Sequence, residues 1–396
     1  MTFEMTIKTS RRLALNLLST LPLVIACLSV TAIAKESAPS DALRWPTSGK
    51  IASIDLFRQD GVRSGSVEFT AERPSVYRNW GKASTVTWSV DNHIAGQYLP
   101  AISYESNGEV SYTLEVDGRR YEGVLPAAGK MKKVKLPAVV MNRVGINRLS
   151  LSISSSLQDN SFTLGALKLS LEPGEVTMSK PVLIAGADWL KIQASLKVNN
   201  NQKPPSDLNL RASIKPWPDG EVLWEGAVAA TAVAGGFEID QTIRDLKPKL
   251  WSPATPNLYL VTLTVNAGIQ QERPLQVQSR IGFREFEAKD GRFYLNGKPV
   301  FLRGHAIVPP GGGHVRGLNP DLAFDPDVVR KYLKFFKAQN INIVRAQDPL
   351  WQSLCDEEGM MVFVGNYGVP KIPGVTREQP PAFEESAVDY LSLIHI

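Results

Sequence analysis

Polar side chains that could do chemistry collect at the ends of three short apolar runs in the last quarter of the chain. Arg303 and His305 follow the first run, Arg345 ends the second, and Asn366 and Tyr367 follow the third. The fork of donors on an arginine suits a carboxylate partner. Each of the five could face a ligand, and each could equally have a structural role.

The elements that must position these side chains alternate between strand and helix. Asp325-Pro326 and Asp348-Pro349 are each typical of a helix start, and Gly359 is a typical stop. The three predicted strands cover residues 300–303, 341–345 and 360–364. Strands and helices that alternate at this spacing predict parallel βαβ units.

Ahead of these units lies the stretch 281–304, IGFREFEAKDGRFYLNGKPVFLRG. Asp290-Gly291 and Asn296-Gly297 predict two tight reversals. The stretch resembles the entry into the barrel of glycoside hydrolase family 2, where an immunoglobulin-like domain ends in G-F-R and a D-G-x-F-x-L-N-G-x-P-V-x-L-R-G hairpin follows. The LWSP segment at 250–253 is similar to part of that immunoglobulin-like domain, and Trp251 is predicted to fill a gap between it and its neighbour.

The resemblance implies a retaining glycosidase with a (β/α)₈ barrel and no redox cofactor or metal. In such enzymes one carboxyl group protonates the leaving oxygen and another, roughly 5 Å away, attacks the anomeric carbon. The resemblance gives Arg345 the role of orienting that nucleophile, with a structural ion pair as the alternative. The family places both carboxylates after strands four and seven, which this chain does not reach. Four glutamates are instead predicted on solvated helix faces: Glu357, Glu358, Glu384 and Glu385.

The chain departs from the family pattern after Arg345. Family members carry a segment that ends in H-Y-P before the next helix, whereas Ala346-Gln347-Asp348-Pro349 stands here. The third strand also ends in Gly365-Asn366-Tyr367, where members often have an acidic residue. Substrate contacts of those family residues are therefore not carried over.

Two β-rich modules are predicted before the barrel, at 35–174 and 175–282, with the barrel start at 283–390. Alternating apolar residues and turn dipeptides favour sandwiches, the first similar to galactose-binding-like jelly rolls that bind carbohydrate and the second immunoglobulin-like. Trp80, in RNWGK, is the predicted sugar-stacking residue, because a pyranose ring packs on an indole face. Trp88 alternates with valines and is predicted to lie in the core.

Residues 1–34 have the pattern of a secretion signal, with basic residues, an apolar run and a small-x-small site before Lys35. Export to the periplasm or the medium is expected. The alternative is a lipid anchor on Cys27, since Val24-Ile25-Ala26-Cys27 resembles a lipoprotein box. Neither form needs a membrane-spanning helix.

Charge and cysteine content exclude two further classes. Residues 1–34 contribute +2 of the formal net charge of +5, and a remainder of +3 without a basic, aromatic-rich run does not indicate nucleic acid. Cys355 would be alone after cleavage at residue 34, so no internal disulfide forms, and a buried apolar role is predicted for it.

The last six residues, 391–396, read LSLIHI and match the translation of a sequencing adapter. We therefore expect the barrel to be interrupted near Tyr390 and the 396-residue chain to be inactive by itself, with a natural short protein as the rival. A non-catalytic carbohydrate-binding or adhesion protein is the second candidate function. A barrel hydrolase of a related family is the third.

Overall fold

The computed structural model describes residues 53–56, 61–70, 76–81, 83–154, 162–172, 176–198, 208–266, 274–306, 324–346 and 349–363. They form two antiparallel β-sandwiches, a small hairpin sheet and a parallel sheet that carries two helices. The predictions for 1–34, Cys27, Asn366, Tyr367 and 391–396 lie outside these ranges, as do those for Glu384 and Glu385. Among the described residues, no helix combines the length and apolar character that a bilayer crossing requires.

Among the described residues, twelve strands build the first sandwich. They are β1 Ser53–Asp55, β2 Val62–Ser64, β3 Glu68–Thr70, β4 Val76–Arg78, β5 Thr85–Asn92, β6 Gly96–Ser106, β7 Val110–Val116, β8 Arg119–Leu125, β9 Ala128–Lys135, β10 Val139–Met141, β11 Gly145–Ser154 and β12 Phe162–Leu171. One sheet has the order β10-β6-β12-β4-β3, with β1 on β12 and β9 on β6, and the facing sheet runs β2-β5-β11-β7-β8. Alternate residues of both sheets meet in one core, in which Trp88 is buried as predicted.

In the part of the chain that the structure describes, nine strands form the second sandwich. They are β13 Val176–Met178, β14 Val182–Ala185, β15 Leu190–Val198, β16 Asn209–Trp217, β17 Trp224–Ala227, β18 Thr231–Val233, β19 Gly236–Ile243, β20 Leu258–Asn266 and β21 Leu275–Ile281. One sheet runs β13-β15-β19-β18, with β14 also on β15, and the other β17-β16-β20-β21. Their inner faces share a second core.

A hairpin sheet of β22 Phe286–Lys289, β23 Arg292–Leu295 and β24 Lys298–Val300 follows. Asp290, Gly291, Asn296 and Gly297 all have positive φ between 51° and 71°. Positive φ at both central residues defines the turn whose twist matches an antiparallel hairpin. The two predicted reversals are therefore confirmed.

The parallel sheet consists of β25 Gly304–Ala306, β26 Ile343–Arg345 and β27 Met361–Phe363, in that order, with all pairs parallel as expected. The predicted strand at 300–303 is wrong in its bounds. Val300 pairs with Phe293 in the hairpin sheet, because the Asn296-Gly297 turn folds the chain back along β23. Parallel pairing therefore begins at Gly304.

Two helices, α1 Pro326–Ala338 and α2 Pro349–Glu358, cover one face of the parallel sheet. The Asp325 side chain accepts the first free N–H groups of α1, as an N-cap does. Gly359 ends α2 with φ of 69°, and an added Cβ would lie 2.5 Å from the Pro253 carbonyl oxygen. Cys355 is buried in this helix layer, where desolvation raises the pKa of its thiol, so its predicted apolar role is confirmed.

Candidate functional site

Arg345 lies at the carboxyl edge of the parallel sheet, on the face opposite the helices. It is level with Ala306 and Phe363, the last residues of the neighbouring strands. Val344, just before it, packs with side chains of α1 and α2, and successive strand residues point to opposite faces. Arg345 therefore shares the helix-free face at the edge where (β/α)₈ enzymes carry their reactive groups. Its role toward a substrate or a nucleophile stays a prediction.

Arg303 lies at the opposite, amino edge of the same sheet. Its Nε donates to the Asn340 backbone carbonyl (2.5 Å) and its Nη2 to the Asn340 side-chain oxygen (2.7 Å). Its backbone N–H donates to Asn342 Oδ1 at 2.8 Å. Arg303 thus ties the end of α1 to the start of β26. Of the two roles left open for Arg303, this position favours the structural one, because substrate sites of parallel sheets lie at the carboxyl edge.

His305 lies on the helix-covered side of β25. Its ring stacks on Phe336 of α1 with centroids 4.9 Å apart, and it is in register with Val344, which packs against the helices. Of the two roles left open for His305, this orientation favours the structural one, because strand alternation turns its side chain away from the Arg345 face.

Trp80 is buried in the first sandwich and offers no open ring face. Trp80 is 7% exposed. Its ring contacts the Phe162 ring edge-on, with centroids 5.6 Å apart, and its Nε1 donates to the Tyr77 carbonyl. The prediction of sugar stacking at Trp80 is wrong. The loop turns the indole toward the core, because burying so large an apolar surface is energetically more favourable than leaving it in water.

The carboxylates at the end of α2 are engaged in ion pairs. Glu357 pairs with Arg280 of β21 through one oxygen and with Arg330 of α1 through the other (2.8 Å), and its side chain is only 12% exposed. Glu358, at 18%, lies 3.9 Å from Arg330 and 4.0 Å from Lys334. The prediction of a solvated helix face for Glu357 and Glu358 is wrong, because the second sandwich and α1 close over this end of α2.

The described part of the site can supply a cation but no acid–base pair. No Asp or Glu occurs on the three parallel strands, and the α2 carboxylates lie toward the amino edge. Within the described ranges, no cluster of three His, Cys, Asp or Glu side chains could hold a metal ion. Arg345 can orient a carboxylate brought to it, which is a positioning role.

The second sandwich carries the match to a known family. Residues 181–284 match the model of the glycosyl hydrolases family 2. This span is about a quarter of the chain, and it is similar to a domain of that family. The matched domain extends from β14 through β21 to Arg284 and leads directly into the hairpin sheet.

Curated relatives resemble only part of this chain. A Formosa agariphila protein provisionally named β-glucuronidase is 37% identical over 148 residues, which is 35% of this chain and 17% of that protein. A β-galactosidase of Photobacterium profundum is 35% identical over 130 residues, which is 31% of this chain and 12% of that protein. The match thus spans well under a fifth of each relative. A solved β-glucuronidase of Parabacteroides merdae is 19% identical, with a TM-score of 0.40, over 70% of this chain and 37% of that one.

Arg280 of the matched domain contacts α2, whereas Arg284 packs within the matched domain. Arg280 donates to Glu357 and to the Ser353 hydroxyl, and its guanidinium lies 4.6 Å from the Trp217 ring centroid. Arg284, of the GFR segment, stacks over Trp251 at 5.2 Å. Sequence reasoning missed both roles. Arg284 stood in a recognised motif, whereas no local pattern marked Arg280.

Asp356 is the titratable group of this junction with the clearest shift. Burial raises its pKa to about 6, and the opposing cations Arg284 and Arg280 do not cancel that rise. Burial also lowers the pKa of Arg284, against the attraction of Asp356. A raised carboxyl pKa means that the fold favours the neutral form. The contribution of neutral Asp356 to the free energy of unfolding is complete below about pH 4 and is lost as the pH rises through about 6.

Replacing Asp356 by asparagine should therefore stabilise the protein at neutral pH. We expect Asp356→Asn to raise the free energy of unfolding by about 2 kcal/mol at pH 7.5 and by almost nothing at pH 4, where wild-type Asp356 is already neutral. Urea unfolding at both pH values measures this. Asp219→Asn, at an exposed residue, is the control and should change neither value. A loss of stability at pH 7.5 would show that Arg284 depends on the charge of Asp356.

Proposed function

We propose that the whole protein is a glycosidase that hydrolyses O-glycosidic bonds with retention at the anomeric carbon. The proposal rests on the order of the domains along the chain and on the position of Arg345. A family 2 domain runs, through a hairpin sheet, into parallel βαβ units that present Arg345 at the carboxyl edge of their helix-free face.

We infer that these units begin a (β/α)₈ barrel. Three parallel strands with helices on a single face are its repeating unit. Phe363 is 45% exposed on the helix-free face, where a closed barrel would cover it. We propose further that the first sandwich is a jelly roll and the second an immunoglobulin-like domain.

In this proposal Arg345 orients the attacking carboxylate. A retaining mechanism needs a nucleophile and an acid/base about 5 Å apart on the barrel's carboxyl edge. The paired carboxylates of α2 are held in the interdomain junction, so we assign neither catalytic role to them. The family 2 relatives named β-galactosidase and β-glucuronidase support a β-linked hexose or hexuronic acid as substrate.

The test uses the whole product of the reading frame that contains this chain. We expect it to hydrolyse p-nitrophenyl β-D-galactoside or β-D-glucuronide, with the retained anomer as the first product in proton NMR. Arg345→Gln should lower kcat/KM about 100-fold, because a preorganised charge at the reacting centre is lost. Arg292→Gln, on the exposed hairpin, should leave it unchanged. Glycan binding without hydrolysis would favour the carbohydrate-binding or adhesion alternative.

We propose that the protein is exported, because residues 1–34 have the pattern of a secretion signal. Cleavage before Lys35 would yield a soluble secreted or periplasmic protein, whereas lipidation at Cys27 would anchor it to the outer membrane. Mass spectrometry of the mature amino terminus distinguishes the two, and an intact Met1 in the cell envelope fraction would contradict both.

A further inference from the structure

A cleft of about 650 Å³ separates the first sandwich from the first turn of α1. Its floor is formed by β5, β7 and β11, and Asp327 of α1 forms part of the opposite wall. Arg148 of β11 crosses between the two, 3.0 Å from Asp327. The volume lies within the roughly 300–1,000 Å³ of small-molecule sites.

The charges that line the cleft balance. Three carboxylates face three guanidinium groups, and the hydroxyls of Thr87 and Ser150, 2.9 Å apart, add further donors and acceptors. No aromatic side chain is among the described lining residues. An apolar ligand would therefore leave polar groups unpaired, and a highly charged one would find no excess of opposite charge.

Asp117 is the group in this cleft whose hydrogen bonding is incomplete. Its side chain is 6% exposed, and neither carboxylate oxygen accepts a hydrogen bond from any described residue. Arg143 is 3.8 Å away, beyond hydrogen-bonding distance, and its own side chain is 73% exposed. A buried acceptor without a donor is costly, so the arrangement favours a ligand that brings donors.

The hairpin turn holds Asp117 in place. Its φ of 50° and the 78° of Gly118 define a tight turn, and its N–H donates to the Arg148 carbonyl at 3.2 Å. Burial raises the pKa of the Asp117 carboxyl group, with Arg143 and Arg119 acting in the opposite direction.

We propose that this cleft binds a neutral, hydroxyl-rich saccharide. One sugar hydroxyl donates to the Asp117 carboxylate while its neighbour accepts from Arg143, whose exposed side chain can turn outward to admit them. A pair of adjacent hydroxyls presents donors and acceptors together, which matches a carboxylate beside a guanidinium. The site needs no catalysis and so stands apart from the proposed hydrolysis.

The test is binding of the purified chain to an array of neutral, uronic-acid and amino-sugar oligosaccharides, followed by calorimetric titration with the neutral glycan of highest signal. Asp117→Asn should weaken binding at least tenfold, since a charged acceptor is replaced by a neutral amide. Asparagine tolerates positive φ, so the fold should keep its Tm.

Asp290→Asn is the control for the turn, because Asp290 also has a positive φ (51°) before a glycine but is exposed and lies outside the cleft. It should leave the Kd unchanged. Absence of binding to every neutral glycan, or binding that Asp117→Asn leaves intact, would overturn the proposal. Retained hydrolysis by the whole protein in either case would leave the proposed function standing.

Discussion

Replacing Trp251 by alanine should lower the free energy of unfolding by about 4 kcal/mol, the range for truncating a large buried aromatic side chain. Trp251 is 1% exposed and packs with Leu258 of the second sandwich, Leu295 of the hairpin sheet, and Ile343 and Met361 of the parallel sheet. Its predicted gap-filling role is thereby confirmed. The cavity left by alanine would open where three sheets meet, so little could collapse into it.

Urea unfolding monitored by circular dichroism measures this loss. Trp217→Ala is the control, since Trp217 is 36% exposed and stacks on Arg280 at the surface of the junction. We expect it to cost no more than about 1 kcal/mol. Equal losses for the two variants would mean that the shared cluster does not join the three sheets.

Glu357→Gln should cost about 3 kcal/mol, the order expected when one partner of a buried ion pair is removed. The substitution keeps the shape of the side chain but leaves Arg280, which is 11% exposed, without its countercharge. Arg330 loses its 2.8 Å partner in the same step. Because the arginines come from the second sandwich and from α1, the loss should loosen α2 from both.

Glu358→Gln is the adjacent control, with ion-pair distances of 3.9 and 4.0 Å and an expected cost below about 1 kcal/mol. A double-mutant cycle adds a sharper measure. Arg280→Gln should cost clearly less in the Glu357→Gln background than in the wild type, and additive costs would argue against a coupled pair.

Local signals predicted the backbone well where short-range physics decides it. Asp290-Gly291 and Asn296-Gly297 each adopt the positive φ that their residue types allow, and Asp325 caps α1 as its position before proline predicts. The sequence did not mark where the hairpin ends and the parallel sheet begins. Val300 fits either strand by type, and only its pairing with Phe293 places it in the hairpin.

Site residues were predicted less well, because a side chain's role depends on what faces it. Arg303 and Arg345 each flank a predicted strand, yet the sheet places the first at the amino edge and the second at the carboxyl edge. Trp80 has a loop-like local sequence, but its ring is covered by Phe162 from a distant strand.

From the sequence alone came the two β modules, the hairpin turns, the alternation of strand and helix, and the family resemblance, because these depend on residue type and spacing over a few positions. Only the tertiary structure decided that His305 faces a helix, that Glu357 is paired and that Asp117 lacks a donor. Burial and pairing are set by residues far along the chain, which no local pattern encodes.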